Sequence, residues 1–388
     1  MQVPRSDTAP TALLRVLHVA SGDLWAGAEV QIVHLLKALD TQGGIALRVV
    51  LMNEGMMANK LRQGGITVDV FDEGKHGMRQ LLTMLRGIVR TWQPTVIHTH
   101  RRKEHLLGAL AARGSGARLV ATCHGRSEDL PGRQSLRNRA LAALQWTLLR
   151  RAHDRVVAVS DELAGHLPLP AARIEVICNG IDPDEIRSAA LLATAPLPGH
   201  RPVKIGFVGR LVPVKQVDRL IRAMQILERE APGHFVLYLL GDGPLRSELE
   251  RVVSELGLED TVLFLGFRAD ALPLIAALDV VAFSSRHEGL PMAALEALAL
   301  GAPVVGPPVG GLQDLLSLSP LGVLSASDTP AALAEALRQA MSPVLDSLRG
   351  RPGIPEKYLL SNCAQKYRRL YRSLKSSTHS SSAVRSVT

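Results

Sequence analysis

Short apolar runs recur along the chain, and between them lie longer stretches in which apolar positions return every three or four residues. LRVLHVA, LRVVLM, TVIHTH, RLVATCH, RVVAVS and IEVIC predict strands in the first half, and VKIGFVG, FVLYLLG, VLFLG, VVAFSS and APVVG in the second. The intervening segments Ala28–Leu39, Met78–Thr91, Lys215–Glu230 and Pro291–Leu300 predict helices. Strands that are nearly continuously apolar belong to parallel sheets covered on both faces, and this alternation is the rhythm of βα units. The rhythm breaks once, over IDPDEIRSAALLATAPLPGHRP (181–202). The pattern therefore predicts an α/β protein of two Rossmann-like domains facing each other across a cleft. Residues 1–182 form the first, 183–202 a linker and 203–357 the second. A helix over 358–375 returns to the first domain, and 376–388 reads as a disordered, Ser-rich tail.

Composition narrows the function. Hydrophobic residues are 46% of the 388, enough for two large cores. A formal net charge of +9 favours anionic partners, but aromatics are only 3%, which argues against base-stacking platforms and hence against nucleic acid. Cys123, Cys178 and Cys363 have neither disulfide-framework nor metal-ligand spacing, and suit a reducing compartment. Neither a secretory leader nor an apolar stretch long enough to span a bilayer is expected, and the chain reads as cytoplasmic.

Three strand-to-helix turns are candidates for chemistry. In SSRHEGLPMAALEALALGAPVV (284–305), Glu288 and Glu296 stand in apolar company, with Gly289 and Leu290 in the turn and Pro291 suited to the first helical position. A helix start directs unpaired N–H groups at an anion, and carboxylates accept hydrogen bonds from the paired hydroxyls of sugars and riboses. The same residues also suit a helix cap and a rim charge. In GFVGRLVPVK (206–215), Arg210 and Lys215 can neutralise phosphate, or be ordinary solvated charges. In LLGDGPLRSELE, the Gly241–Gly243 turn reads as tight geometry rather than ligand contact.

Taken in order, these elements resemble the nucleotide-sugar domain of the retaining family 4 glycosyltransferases, of the GT-B fold. SGDLWAGAEVQIVHLLKAL, VIHTH, ATCHGR, VVAVSDEL and VICNGID extend the likeness through the first half, almost to Arg372. The resemblance implies a transferase moving a sugar from a nucleoside diphosphate donor, UDP-linked, with retention of configuration. It implies catalytic roles for Glu288 at the donor sugar, His124 facing that sugar, and Arg210 and Lys215 on the diphosphate. It implies donor contacts from Glu296 to the ribose, from the Gly289 and Leu290 backbone, from the turn Gly266, Phe267, Arg268 at the base, and from Gly27 in the loop after the first strand. Departures are Ala26-Gly27, where the family often has two glycines, and Lys215-Gln216, where it often has Lys-Gly. Asp182-Pro183-Asp184 imitates a metal-binding Asp-x-Asp but reads as a helix cap, so no metal or other cofactor is assigned.

The acceptor is expected to be lipid-linked or a polysaccharide, as in surface polysaccharide or glycolipid synthesis, with a soluble small molecule or storage sugar as the alternative. Arg126–Arg155, rich in arginine, reads either as an amphipathic helix on an anionic membrane or as a helix packed on the sheet with solvated arginines.

Overall fold

The computed structural model describes residues 13–125, 136–192, 197–269 and 271–383, with 136–142 and 377–383 described through their backbone alone. The first sheet contains β1 (Leu14–Ala20), β2 (Ile45–Leu51), β3 (Thr67–Val70), β4 (Val96–Thr99), β5 (Arg118–Cys123), β6 (Arg155–Ala158) and β7 (Ile174–Val176). All are parallel, in the order β3-β2-β1-β4-β5-β6-β7. The second contains β8 (Val203–Val208), β9 (Phe235–Leu240), β10 (Val262–Gly266), β11 (Val280–Ala282), β12 (Val304–Gly306) and β13 (Gly322–Leu324). It is again parallel, in the order β10-β9-β8-β11-β12-β13. These are two Rossmann-like sheets. Each reverses its strand order once, between β1 and β4 and between β8 and β11, and such a reversal opens a ligand crevice at the carboxyl ends of the strands.

Two strands were not foreseen. β3 is a polar edge strand whose Asp69 pairs with Arg48 of β2 at 2.7 Å, so it has no apolar run to read. β13 has only three residues.

The stretch expected to be a linker holds a helix, Pro183–Leu191. Asp182 caps it, its Oδ1 accepting from the N–H groups of Asp184 (3.0 Å) and Glu185 (3.3 Å). Ile186 buries this helix against Leu274 and Leu295 of the second half, because burying an apolar face outweighs what the Pro-rich flank suggests.

The final helix, Leu360–Ala383, crosses back to the first sheet. Its Cys363, Tyr367, Leu370, Tyr371 and Leu374 are buried with Leu14, Val16 and Val96. The two crossings meet: Ile181 N–H donates to the Tyr358 carbonyl (3.1 Å), and Leu360 N–H donates to the Ile181 carbonyl (2.8 Å). The helix runs to Ala383, through residues expected to be disordered from 376. Extending a helix whose earlier turns are packed adds one bond per residue and needs no new nucleus, so the serines follow. Residues 384–388 lie outside the described residues.

Candidate active site

The second domain supplies two loops at the β8/β11 reversal, and hydrogen bonds join them. Lys215 ends a 3₁₀ turn, Pro213–Lys215, and its Nζ lies 2.6 Å from Glu288 Oε1. Ser285 Oγ donates to the same oxygen at 2.5 Å, and Ser284 Oγ donates to the Lys215 carbonyl at 2.9 Å. The Glu288 side chain is only 7% exposed, so its charge depends on Lys215 as partner. Beneath this loop Gly310 takes φ +54°, and a Cβ there would meet the Glu288 carbonyl oxygen at 1.7 Å. That contact explains the first glycine of VGGLQDLL, and a Cβ on the second, Gly311, would meet the Gly289 carbonyl oxygen at 2.1 Å. The Gly241–Gly243 turn packs on the Arg210 loop, with Leu211 N–H donating to the Asp242 carbonyl at 2.9 Å, which is the structural role its sequence suggested.

Glu296 lies in the helix Met292–Ala299. Burial raises its carboxyl from an ordinary 4.5 to about 7. Pro291 stands one place earlier than expected, as N-cap rather than first helical residue. Among the described residues, the N–H groups of Gly289 and Leu290 donate to no protein acceptor. Gly266 ends β10 at φ +69°, and Phe267 beyond it is 55% exposed.

Gln216 takes φ +46°, ψ +47°. This left-handed conformation is what glycine supplies without a Cβ clash, and it accounts for the Lys-Gly of related sequences. Gln216→Gly is expected to stabilise the protein by about 0.5–1 kcal/mol in urea unfolding, the relief of left-handed strain exceeding glycine's extra entropy loss; a destabilised variant would show the side chain matters more than the backbone. By contrast Ala26 is extended, φ −137°, so the first glycine of the related loops is not required here.

The first domain meets these loops edge to edge. A Cβ on Gly289 would lie 2.2 Å from the His124 carbonyl oxygen, and Asn179 Nδ2 donates to the Leu290 carbonyl at 3.0 Å. Gly27 opens the first helix, Gly27–Thr41, against the Met292 side chain. Between the domains is a cavity of about 990 Å³, lined by His100, Arg101, Lys103, His124 and Trp146 from one side and Arg210 from the other. Its charges are largely matched: Arg101 pairs with Asp23 (3.1 Å) and Glu29, and Lys103 with Glu73.

Behind this wall lies a group that the sequence reading missed. Pairing of β1 with β4 sets His18 beside His98, and His100 follows at the strand end. His18 Nδ1 lies 3.0 Å from His100 Nε2, and His100 Nδ1 lies 3.2 Å from His124 Nε2. His98 faces Tyr371 through Nδ1 and Thr122 through Nε2, both at 2.7 Å. Burial depresses all four imidazoles, His18 to about 3 and His124 to about 4, so they are neutral at ordinary pH. Among the described residues His18, His98 and His100 are the one group whose ligand atoms approach as a metal site would, within 4.8 Å. Each of their six nitrogens already faces a hydrogen-bond partner, and no carboxylate is present to offset a buried dication. The alternation of His in VIHTH was the available signal.

Two facing parallel-sheet domains with a cleft at the strand carboxyl ends are the architecture of GT-B glycosyltransferases. The structure matches HepE of Anabaena, solved with UDP and glucose, with a TM-score of 0.76 at 23% identity, covering 93% of this chain and 100% of that one. It matches the sucrose-phosphate synthase of Thermosynechococcus elongatus with a TM-score of 0.76 at 19% identity, covering 94% and 100%. Residues 25–185 match the family described as Glycosyltransferase Family 4, and residues 202–342 that described as Glycosyl transferases group 1. The 2-deoxystreptamine N-acetyl-D-glucosaminyltransferase of Streptomyces fradiae is 30% identical over 379 residues, 86% of this chain and 89% of the relative. The D-inositol 3-phosphate glycosyltransferase of Saccharomonospora viridis is 30% identical over 306 residues, 70% of this chain and 69% of the relative. The chain belongs to the family 4, group 1 glycosyltransferases, and it is a transferase of glycosyl groups.

Proposed function

We propose that this enzyme moves a sugar from a UDP-sugar to a small polyhydroxylated acceptor, with retention of configuration and without a metal. The observation that carries the reading is the meeting of Lys215–Glu288 and the Gly289–Leu290 backbone with His124 across the cleft. Arg210, Lys215 and the open N–H groups at the helix start neutralise the diphosphate as it leaves. Glu296 holds the ribose and the Gly266–Arg268 turn the base. Glu288 and His124 hold the donor sugar. Attack comes from the face of the leaving group: the acceptor oxygen bonds to the anomeric carbon as the carbon–phosphate oxygen bond breaks, and the acceptor's proton passes to the departing phosphate.

A small acceptor is favoured by the cavity, whose volume of about 990 Å³ suits one bound molecule and whose walls carry both signs of charge. The names of the deoxystreptamine and inositol phosphate relatives point the same way. The second reading, a lipid-linked acceptor, rests on the arginine-rich stretch Arg126–Arg155. Residues 126–135 of that stretch, with Arg126 and Arg133, lie outside the described residues, as do the side chains of Arg137 and Arg139. The helix Leu136–Ala152 buries Leu149 against the first sheet, and among the described residues no helix is long and apolar enough to cross a membrane.

UDP release from UDP-sugars is expected to persist in excess EDTA and to accelerate with soluble aminocyclitols or inositol phosphates. Loss of rate on chelation, restored by manganese, would overturn metal independence. A rate that rises only with anionic vesicles bearing a glycolipid would move the lipid-linked reading to first place.

A further inference from the structure

His124 is the last member of a buried chain of hydrogen-bonding groups. Tyr367 hydroxyl lies 3.1 Å from Thr122 Oγ1, which lies 2.7 Å from His98 Nε2. His98 Nδ1 lies 2.7 Å from the Tyr371 hydroxyl, which lies 3.4 Å from His18 Nε2. From His18 the chain passes to His100 and then to His124. His124 Nδ1 is buried without a partner among the described residues, on a side chain that lines the cleft.

A neutral imidazole carries one N–H and one lone pair. At each link one partner donates and the other accepts, so a group that accepts on one side must donate on the other. We infer that Tyr367, Thr122, His98, Tyr371, His18 and His100 form a one-way hydrogen-bond chain that forces all four imidazoles into the same tautomer, so that the core of the first domain sets what His124 presents to the donor sugar. The inference rests on the reading that His124 faces that sugar.

Tyr367 sets the sense. Its hydroxyl has Thr122 as its only partner among the described residues. Running the chain towards His124 lets every buried hydroxyl donate: Tyr367 to Thr122, Thr122 to His98 Nε2, His98 Nδ1–H to Tyr371, and Tyr371 to His18 Nε2. His18 and His100 then donate onward through Nδ1–H. The single unused donor is the Nδ1–H of His124, at the cavity wall where a ligand oxygen can accept it. The opposite sense strands the Tyr367 phenol O–H in the core, where nothing can pair with it. Burial keeps the imidazoles uncharged, so no link is broken by protonation. His124 is thus a hydrogen-bond donor to a sugar oxygen and not a base, and His18, His100 and Tyr371 are positioning residues.

Nitrogen-15 spectra of histidine-labelled full-length protein test this, with assignment by single His→Gln variants. The expected result is the Nδ1–H tautomer, the less common one in water, at His18, His98, His100 and His124. A mixture of tautomers among the four would overturn the chain, and four Nε2–H signals would overturn its sense. Tyr371→Phe cuts the chain without emptying the core, whereas Tyr367→Phe leaves Thr122 as the first donor to His98 Nε2 and serves as the control. In Tyr371→Phe the chain no longer fixes His18, His100 and His124, which are expected to gain the commoner Nε2–H form together, with turnover falling about tenfold and UDP affinity unchanged; in Tyr367→Phe all four are expected to keep Nδ1–H. Unmoved His124 signals in Tyr371→Phe would refute the coupling. Moved signals with unchanged turnover would leave the chain standing and instead remove His124 from the sugar.

Discussion

Glu288→Gln lowers kcat by on the order of 10²–10³-fold, as loss of a preorganised charge beside the reacting carbon does, while UDP affinity holds or rises. The opposite signs follow from the ion pair. In the free enzyme Lys215 Nζ is 2.6 Å from the Glu288 carboxylate, so part of its positive charge is already answered before any phosphate arrives. The amide of Gln removes that answer and leaves Lys215 to the diphosphate alone. The charge that develops on the sugar in the transition state meanwhile loses its nearest carboxylate, and that interaction exists only there. Lys215→Gln separates the two effects, because it weakens UDP binding and turnover together. Titration calorimetry with UDP, beside initial rates at saturating donor, reads both. Parallel losses in affinity and turnover for Glu288→Gln would remove Glu288 from the sugar and return it to a structural ion pair.

Glu296→Gln is expected to separate stability from binding. In the folded enzyme the Glu296 carboxyl titrates at about 7, against an ordinary 4.5, because burial penalises its charge. A raised value means that the neutral form is favoured in the fold. The stability it brings is complete below about 4.5, declines as pH rises towards 7, and is gone above it. At pH 8 the wild type therefore carries a buried charge that the Gln variant lacks. The variant should be more stable there by about 1–3 kcal/mol, the upper figure being the whole shift at 1.36 kcal/mol per unit and the lower allowing for partial exposure. Near pH 4.5 the advantage should vanish. Donor affinity moves the other way, falling about 10–100-fold, as expected when hydrogen bonds to a charged acceptor are weakened. For the wild type, affinity for UDP-glucose should be full above pH 7 and weaken below it, since ribose hydroxyls donate to the carboxylate. UDP-glucose is the better probe than UDP, whose terminal phosphate itself titrates near pH 6. A flat affinity profile from pH 5.5 to 8 would show that Glu296 does not touch the nucleotide.

The α/β architecture was legible because its strands are buried on both faces. FVLYLL is wholly enclosed in β9, and a run like that has few other homes. The polar edge strand β3 was not legible, since its pairing depends on Arg48 and Asp69 rather than on an apolar pattern. The helix Pro183–Leu191 was hidden by the Pro-rich stretch after it, its place being decided by a distant partner in Leu274 and Leu295. The two carboxylates and two cations of the cleft stood out as charges in apolar company. Their pairing did not, because the side chains of Lys215 and Glu288 meet only when two loops of one sheet edge are folded together. The histidine chain was least legible of all. Its members come from β1, from β4 and β5 and the residues just after them, and from the final helix, so its links join residues far apart in sequence.

The return of the last helix also orders events in time. The first sheet is complete on paper at Val176, yet Leu14, Val16 and Val96 stay uncovered until Tyr367, Tyr371 and Leu374 arrive. At a synthesis rate of roughly 5–20 residues per second, that wait is on the order of 10–40 seconds. During it the residues that build the second domain's cores, through Tyr358, are all made. The half of this sequence that is made first is therefore covered last, by a helix that is made only after the second domain.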